Sequence, residues 1–214
     1  MNRVFGPWNT GTNLMEKLLK TMYSGKQKVG SSEKHTLNSE IPENYLKKSK
    51  NNKIIFMYRP ILSWLKSMGK ESYTMDYKNI YSKQLKYMHC GKKYPMRKQY
   101  YDDIFEIYQK FYNMYSMLKD KYNEQVIIIN YEKLISPEIN RNNDYLKHKF
   151  PDAIFDDNKI KSVYNKPAKS HGKPVKNVAE SHKKFEKDIN SWSDKDKTYI
   201  FNKITMDLLF FDNQ

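Results

Sequence analysis

Two short stretches of this 214-residue chain carry the residue types from which an anion site is built. The first reads Gly6-Pro7-Trp8-Asn9-Thr10-Gly11-Thr12-Asn13-Leu14. A glycine-containing turn between a strand and a helix aims unpaired backbone N–H groups, and the positive end of the helix dipole, at one point. Hydroxyls at Thr10 and Thr12 add donors. The second stretch holds Arg59 at the end of an apolar run, with Ser67 about two helical turns further on. A guanidinium fork with a hydroxyl suits a phosphate monoester. The plainer reading is that Arg59 caps the strand end or pairs with an acid. The opening loop lacks the glycine spacing and the lysine of GxxxxGK[ST], so it is not the phosphate loop of kinases and ATPases.

These residues need elements to position them. Val4-Phe5-Gly6 reads as a brief strand, and Leu14, Met15, Leu18, Leu19 and Met22 recur at helical spacing from near Asn13, with Thr10 or Thr12 as the cap. Residues 24–36 are polar and turn-rich and form either a short strand or a loop; residues 42–53 form a loop or a short helix. Ile54-Ile55-Phe56-Met57-Tyr58 is a continuous apolar run, as in a strand buried on both faces of a parallel sheet. Ile61, Leu62, Leu65 and Met68 begin a helix after it. Residues 69–98 have no clean period. Tyr100 to Leu118 reads as a long buried helix, and Val126-Ile127-Ile128-Ile129 as a second buried strand. Residues 159–187 hold nine lysines, with Pro167, Gly172 and Pro174 among them, and read as a basic surface loop. A last helix is expected from Asp194, capped by Ser193, with Ile200, Phe201, Ile204, Leu208 and Leu209 on its apolar side. Strands alternating with helices imply right-handed crossovers and a parallel sheet covered on both faces.

Taken together, these segments resemble the PAPS-dependent sulfotransferase superfamily, which transfers a sulfuryl group from 3′-phosphoadenosine 5′-phosphosulfate. Gly6 to Leu14 is similar to the family's 5′-phosphosulfate loop, a Ser/Thr-Gly-Thr core before a helix. Ile54 to Met68, IIFMYRPILSWLKSM, is similar to its 3′-phosphate motif, a strand ending in Arg with Trp and then Ser downstream. Val126 to Leu134, VIIINYEKL, is similar to its later strand and Tyr-Glu-x-Leu tail. The order matches, so the resemblance spans roughly residues 3–135. It implies a three-layer P-loop-like α/β fold, a central parallel sheet flanked by helices, in one domain over 1–214. It implies PAPS as the sulfuryl donor and no metal. Asn9, Thr10, Gly11, Thr12 and Asn13 would surround the 5′-phosphosulfate, and Arg59 with Ser67 the 3′-phosphate. One departure stands out: many members carry lysine before the Ser/Thr-Gly-Thr core, and here that residue is Asn9. Oriented backbone donors at a developing anion, typically worth ~3 kcal/mol each, supply part of the missing stabilisation.

Within that reading Lys34 is the candidate for the missing cation and His35 for the general base, since an imidazole with a pKa near ~6.5 accepts the proton of an attacking hydroxyl. The plainer alternative is a solvent-exposed loop histidine. His89-Cys90 has no nearby second ligand for zinc. Glu132 reads as structural and Trp64 as packed in a helix face. His171, His182, Lys169, Lys173 and Lys176 belong to the basic stretch, which is either solvated surface or a cover for an anionic cofactor or acceptor.

Composition sets the outer bounds. There are 39 Lys+Arg against 24 Asp+Glu, a net charge of +15, which concentrates anions without choosing among them. Only Arg3, Arg59, Arg97 and Arg141 are arginines, so each is a candidate for a role that needs a planar fork. A single cysteine, Cys90, fits a reducing compartment. No membrane span or secretory signal is legible, which makes a soluble cytoplasmic protein the expectation. Mean hydropathy is −0.92, yet 14% aromatic residues argue for a packed core rather than disorder. The leading expectation is therefore a sulfotransferase acting on the hydroxyl or amine of a small molecule or glycan, either neutral or anionic. The alternatives are a basic nucleic-acid-binding protein, which is not favoured, a nucleotide kinase, and a sulfotransferase-like protein without turnover.

Overall fold

Along the chain the elements run β1 (Asn2–Phe5), α1 (Thr12–Met22), α2 (Glu40–Lys47), β2 (Lys53–Tyr58), α3 (Ile61–Lys70), β3 (Lys83–Met88), β4 (Lys98–Asp103), α4 (Ile104–Lys121), β5 (Val126–Asn130), α5 (Tyr131–Leu134), α6 (Ile139–Lys149), α7 (Asp157–Asn165), α8 (Val178–Asn190) and α9 (Asp194–Asn202). This computed structural model describes residues 2–24, 33–72, 75–88, 98–165 and 178–204.

The three apolar runs form one parallel sheet in the order β1-β2-β5, with Phe5, Phe56 and Ile128 side by side across it. Because side chains alternate along a strand, each run feeds two cores. Phe5, Ile54, Phe56, Tyr58, Val126 and Ile128 pack with residues of α2, α3 and α4. Val4, Ile55, Met57 and Ile129 pack with Met15, Leu18, Leu19 and Met22 of α1, Leu146 of α6, and Ile160 and Tyr164 of α7. The fold is thus mixed α/β, a three-stranded parallel sheet flanked by helices. The face toward α4 is aromatic: Phe56 stacks on Tyr115 at 3.8 Å, and Tyr58 meets Tyr112 edge-on.

Several expectations change. Residues 83–103 contain an antiparallel pair, β3 with β4, in the stretch that showed no period. From Lys83 to Tyr87 only Leu85 and Tyr87 are strongly buried, so the alternation is too brief to read. Consequently α4 starts at Ile104, not near Tyr100. Asp103 stops the strand and caps the helix, its carboxylate accepting from the N–H groups of Phe105 and Glu106 at 3.1 Å each. Residues 40–47 are helical. The basic stretch is shorter than expected, because α7 and α8 occupy its two ends; residues 166–177, with His171 and three of the lysines named above, lie outside the described residues, as do His89 and Cys90. In α9 Ser193 is the cap, accepting from the Asp196 N–H, and Ile200 is buried, but Phe201 faces outward; Leu208 and Leu209 are outside the described residues. No helix among the described residues is long and apolar enough to cross a membrane.

The Asp103 cap also receives Lys83 at 3.0 Å, joining β3 to the start of α4. Replacing Asp103 by Ala is expected to lower stability by about 1–2 kcal/mol, the usual cost of a lost cap, read as a drop in urea midpoint at unchanged slope. Asp103→Asn, which keeps the acceptor oxygen, should recover most of it.

Candidate functional site

The β1–α1 loop is shaped by close approaches. A Cβ at Gly6 would lie 2.5 Å from the Thr10 hydroxyl and 2.9 Å from Met57 Cβ, so only glycine lets the loop turn back over β2. Gly11 has φ of 79°, and a Cβ there would stand 2.5 Å from the Tyr131 ring. Asn9 is also left-handed, with φ of 65°. Thr10, between them, is fully buried, and its hydroxyl donates to the Pro7 carbonyl at 2.8 Å. The expected threonine cap is therefore absent: Gly11 occupies the position before α1 and no side chain caps the helix. Met15 makes the first intrahelical bond, to the Gly11 carbonyl. The N–H groups of Thr10, Gly11, Thr12, Asn13 and Leu14 have no partner among the described residues. Five donors are thus left at the positive end of a helix.

Behind this loop lies Arg59, only 7% exposed. Its Nε donates to the Ser63 hydroxyl at 2.6 Å and its Nη1 to the Asn9 carbonyl at 2.7 Å, while the guanidinium sits 4.8 Å over the Tyr131 ring. No carboxylate lies within ion-pair distance of it among the described residues, and its Nη2 has no partner there. Burial lowers its pKa from the ordinary arginine value, opposed by electrostatic interaction with Tyr131, Asp188 and Glu132; the group stays cationic. The backbone of Arg59 is held as well, its N–H by the Tyr112 hydroxyl at 3.3 Å and its carbonyl by the Tyr108 hydroxyl at 3.1 Å.

The hydroxyl that Arg59 holds is thus Ser63, one turn into α3, rather than Ser67. Ser67 joins the site through its backbone: its carbonyl accepts from Asn9 Nδ2 at 3.3 Å. Asn9 also donates to the Glu71 carbonyl at 3.1 Å, so its side chain faces the end of α3, away from the five donors' helix.

Lys34 and His35 both reach the loop. The Lys34 carbonyl accepts the Gly6 N–H at 2.9 Å, and its ammonium lies on α1 between Asn13 Oδ1 and Glu16, the latter at 3.3 Å. His35 is buried; its Nδ1 bonds the Gly6 carbonyl at 2.7 Å, its ring stacks on Trp8 at 3.9 Å, and its own carbonyl accepts from Tyr87 at 2.6 Å. Burial brings its pKa from 6.5 down to about 4, with the Gly6 carbonyl opposing and the Lys34 charge assisting. It is therefore neutral at pH 7. The expectation of an imidazole titrating near neutrality fails because the ring is taken out of water.

Sequence reasoning passed over Ser63, Glu16 and the anchoring roles of Tyr108, Tyr112 and Tyr131. Ser63 had a readable signal, four residues past Arg59 on a helix that begins at Ile61. The others come together only through the tertiary packing. Comparison of the chain with protein-family models, curated proteins and solved structures finds no match.

Two outcomes follow from this geometry. Gly11→Ala should destabilise the fold by several kcal/mol, since it adds both backbone strain and a clash with a packed ring, measurable by chemical denaturation. His35 makes stability depend on pH. The unfolded imidazole binds a proton below about 6.5 and the folded one only near 4, so stability is full above pH 6.5 and falls as pH drops toward 4, by roughly 3 kcal/mol. His35→Asn should flatten that part of the stability profile relative to the native protein; parallel profiles would show that the histidine is not held neutral.

Proposed function

We propose that this chain is a PAPS-dependent sulfotransferase with a P-loop-like fold. The observation that carries the reading is the buried Arg59 guanidinium, without a carboxylate partner, standing behind a strand–loop–helix turn that presents five unpartnered N–H groups. A buried cation is costly unless its charge is answered. An anionic ligand at this turn answers it and takes up the donors at the same time.

In this reading Thr10, Gly11, Thr12 and Asn13 hold the 5′-phosphosulfate through their backbone N–H groups. Arg59 supports the loop through the Asn9 carbonyl and offers Nη2 to the 3′-phosphate. An acceptor hydroxyl or amine attacks sulfur in line; the new bond to sulfur forms as the bond to the 5′-phosphate oxygen breaks, and adenosine 3′,5′-bisphosphate leaves with the charge. Lys34, beside Asn13 at the first turn of α1, supplies the cation absent at Asn9. His35 acts as a brace under Gly6, since a base of pKa about 4 holds little driving force for taking the proton; the acceptor proton goes to solvent.

The nucleic-acid reading has less behind it. Tyr58, Tyr87, Tyr108, Tyr112 and Tyr115 are buried in the core, where they stack on no base.

Calorimetry with adenosine 3′,5′-bisphosphate, AMP and ATP tests the proposal. The bisphosphate should bind at least tenfold more tightly than AMP, and Arg59→Lys, which keeps charge but loses the fork, should erase most of that difference while the protein stays folded. Equal affinity for AMP and the bisphosphate removes the 3′-phosphate assignment. Tight binding without release of the bisphosphate from PAPS across acceptors leaves a binding protein that does not transfer.

A further inference from the structure

The residue that departs from the family pattern is also the most heavily tied residue of the loop. Asn9 is held from both ends. Its carbonyl accepts from Arg59 at 2.7 Å, and its side-chain amide donates to the Glu71 carbonyl at 3.1 Å and to the Ser67 carbonyl at 3.3 Å, with Met68 Sδ at 3.4 Å. The carbonyls it meets are the last ones of α3, which have no intrahelical partners of their own or share one. The amide therefore caps that helix from outside.

The effect on the donors follows from peptide geometry. In a trans peptide the C=O of one residue and the N–H of the next point in opposite directions. With the Asn9 carbonyl drawn onto Arg59, the Thr10 N–H must point away from the guanidinium, outward from the buried wall. The left-handed φ at Asn9 and again at Gly11 then turns the following N–H groups in the same sense, the pattern that forms an anion-holding concavity. Asparagine is the non-glycine residue best suited to that backbone region, and it is long enough to reach α3. Lysine at this position could also donate to these carbonyls, but its long flexible stem would not fix the turn and it is less suited than asparagine to the left-handed backbone.

We propose that Asn9 is a positioning residue that locks the anion loop to the end of α3, so that the order of the loop donors and the order of the α3 last turn rise and fall together. The proposal rests on the anion-site reading for its functional consequence, and on the two sets of hydrogen bonds for the lock itself. It assigns the Asn at this position to preorganisation, with the cation supplied separately by Lys34. The lock also extends further, since Lys70 of α3 pairs with Asp188 of α8, and the Leu62 carbonyl accepts from Nε1 of Trp192 in the turn between α8 and α9.

Amide hydrogen exchange and calorimetry on Asn9→Gly, with Asn9→Asp as a second exchange variant, test it. Glycine keeps the left-handed backbone and deletes only the amide; aspartate keeps the shape but cannot donate to carbonyls. Both variants should exchange faster at the Glu71 N–H, which bonds the Ser67 carbonyl, and at the Met15 N–H, which bonds the Gly11 carbonyl. Asn9→Gly should bind adenosine 3′,5′-bisphosphate at least tenfold more weakly at nearly native melting temperature. Unchanged exchange at Glu71 in both variants overturns the lock, as does faster exchange at Glu71 with unchanged exchange at Met15; faster exchange at both amides with full affinity overturns its role in preorganising the anion site. If the native protein itself fails to bind the bisphosphate, the function proposed above falls, and the exchange data alone decide the lock.

Discussion

The C-terminal edge of the parallel sheet is organised around one buried cation. Arg59 ends the central strand, and its guanidinium joins the first turn of α3 through Ser63, the β1–α1 loop through the Asn9 carbonyl, and the end of β5 through the Tyr131 ring. Its backbone is gripped by two tyrosines of α4. One residue therefore touches the elements that follow all three strands of the sheet. Taking such a charge out of water costs several kcal/mol, and neutral acceptors return only part of that. An unliganded protein bears this cost because the same contacts set the loop. The groups that the guanidinium hydrogen-bonds are neutral, and the carboxylates of Asp188 and Glu132 act on it from beyond ion-pair distance.

The two faces of the sheet divide the work. Toward α1 the core is aliphatic and methionine-rich, and it sets the helix whose first turn ends the loop. Toward α4 it is aromatic, and the tyrosines there are hydrogen-bonding groups as much as bulk: Tyr112 accepts from the Arg59 N–H and Tyr108 donates to the Arg59 carbonyl, strand-end groups that a phenylalanine would leave unsatisfied. Burial keeps Tyr108, Tyr112 and Tyr115 protonated. The tyrosine-rich composition thus belongs to the core, and to the mounting of Arg59, rather than to a surface that stacks on bases.

How legible all this was in the sequence follows from the range of the forces involved. Ile54 to Tyr58 and Val126 to Ile129 are buried on both faces, so their patterns are unbroken and their strands readable; α1 repeats at helical spacing and is readable too. The β3–β4 pair is not, because Lys83, Gln84, Tyr100 and Asp102 face solvent and only the pairing with a distant partner holds the segment extended. The loop residues from Asn9 to Asn13 were legible as a turn before a helix. Their individual roles were not, since whether Asn9 faces the ligand or α3, and whether His35 is wet or buried, depends on neighbours 58 and 29 positions away in the chain. Chemistry that rests on residue type survives translation from sequence; chemistry that rests on direction does not.

The scarcity of arginine sharpens the point. In a chain whose positive charge is nearly all lysine, the surface needs only solvated point charges, and Arg141 serves as one of these, paired with Glu138. Arg3 lies over the Tyr45 ring. At Arg59 a lysine would fail for a geometric reason: a single ammonium on a flexible stem cannot donate in fixed directions to Ser63 and Asn9 while lying flat on Tyr131. The fork sets the positions of Ser63, the Asn9 carbonyl and the Tyr131 ring in the folded chain. Under the sulfotransferase proposal the same rigidity would favour the anion, because donors already fixed lose no freedom on binding. The end of β2 and the loop after β1 are thus held by one planar cation, so that the geometry of each is set by the same side chain.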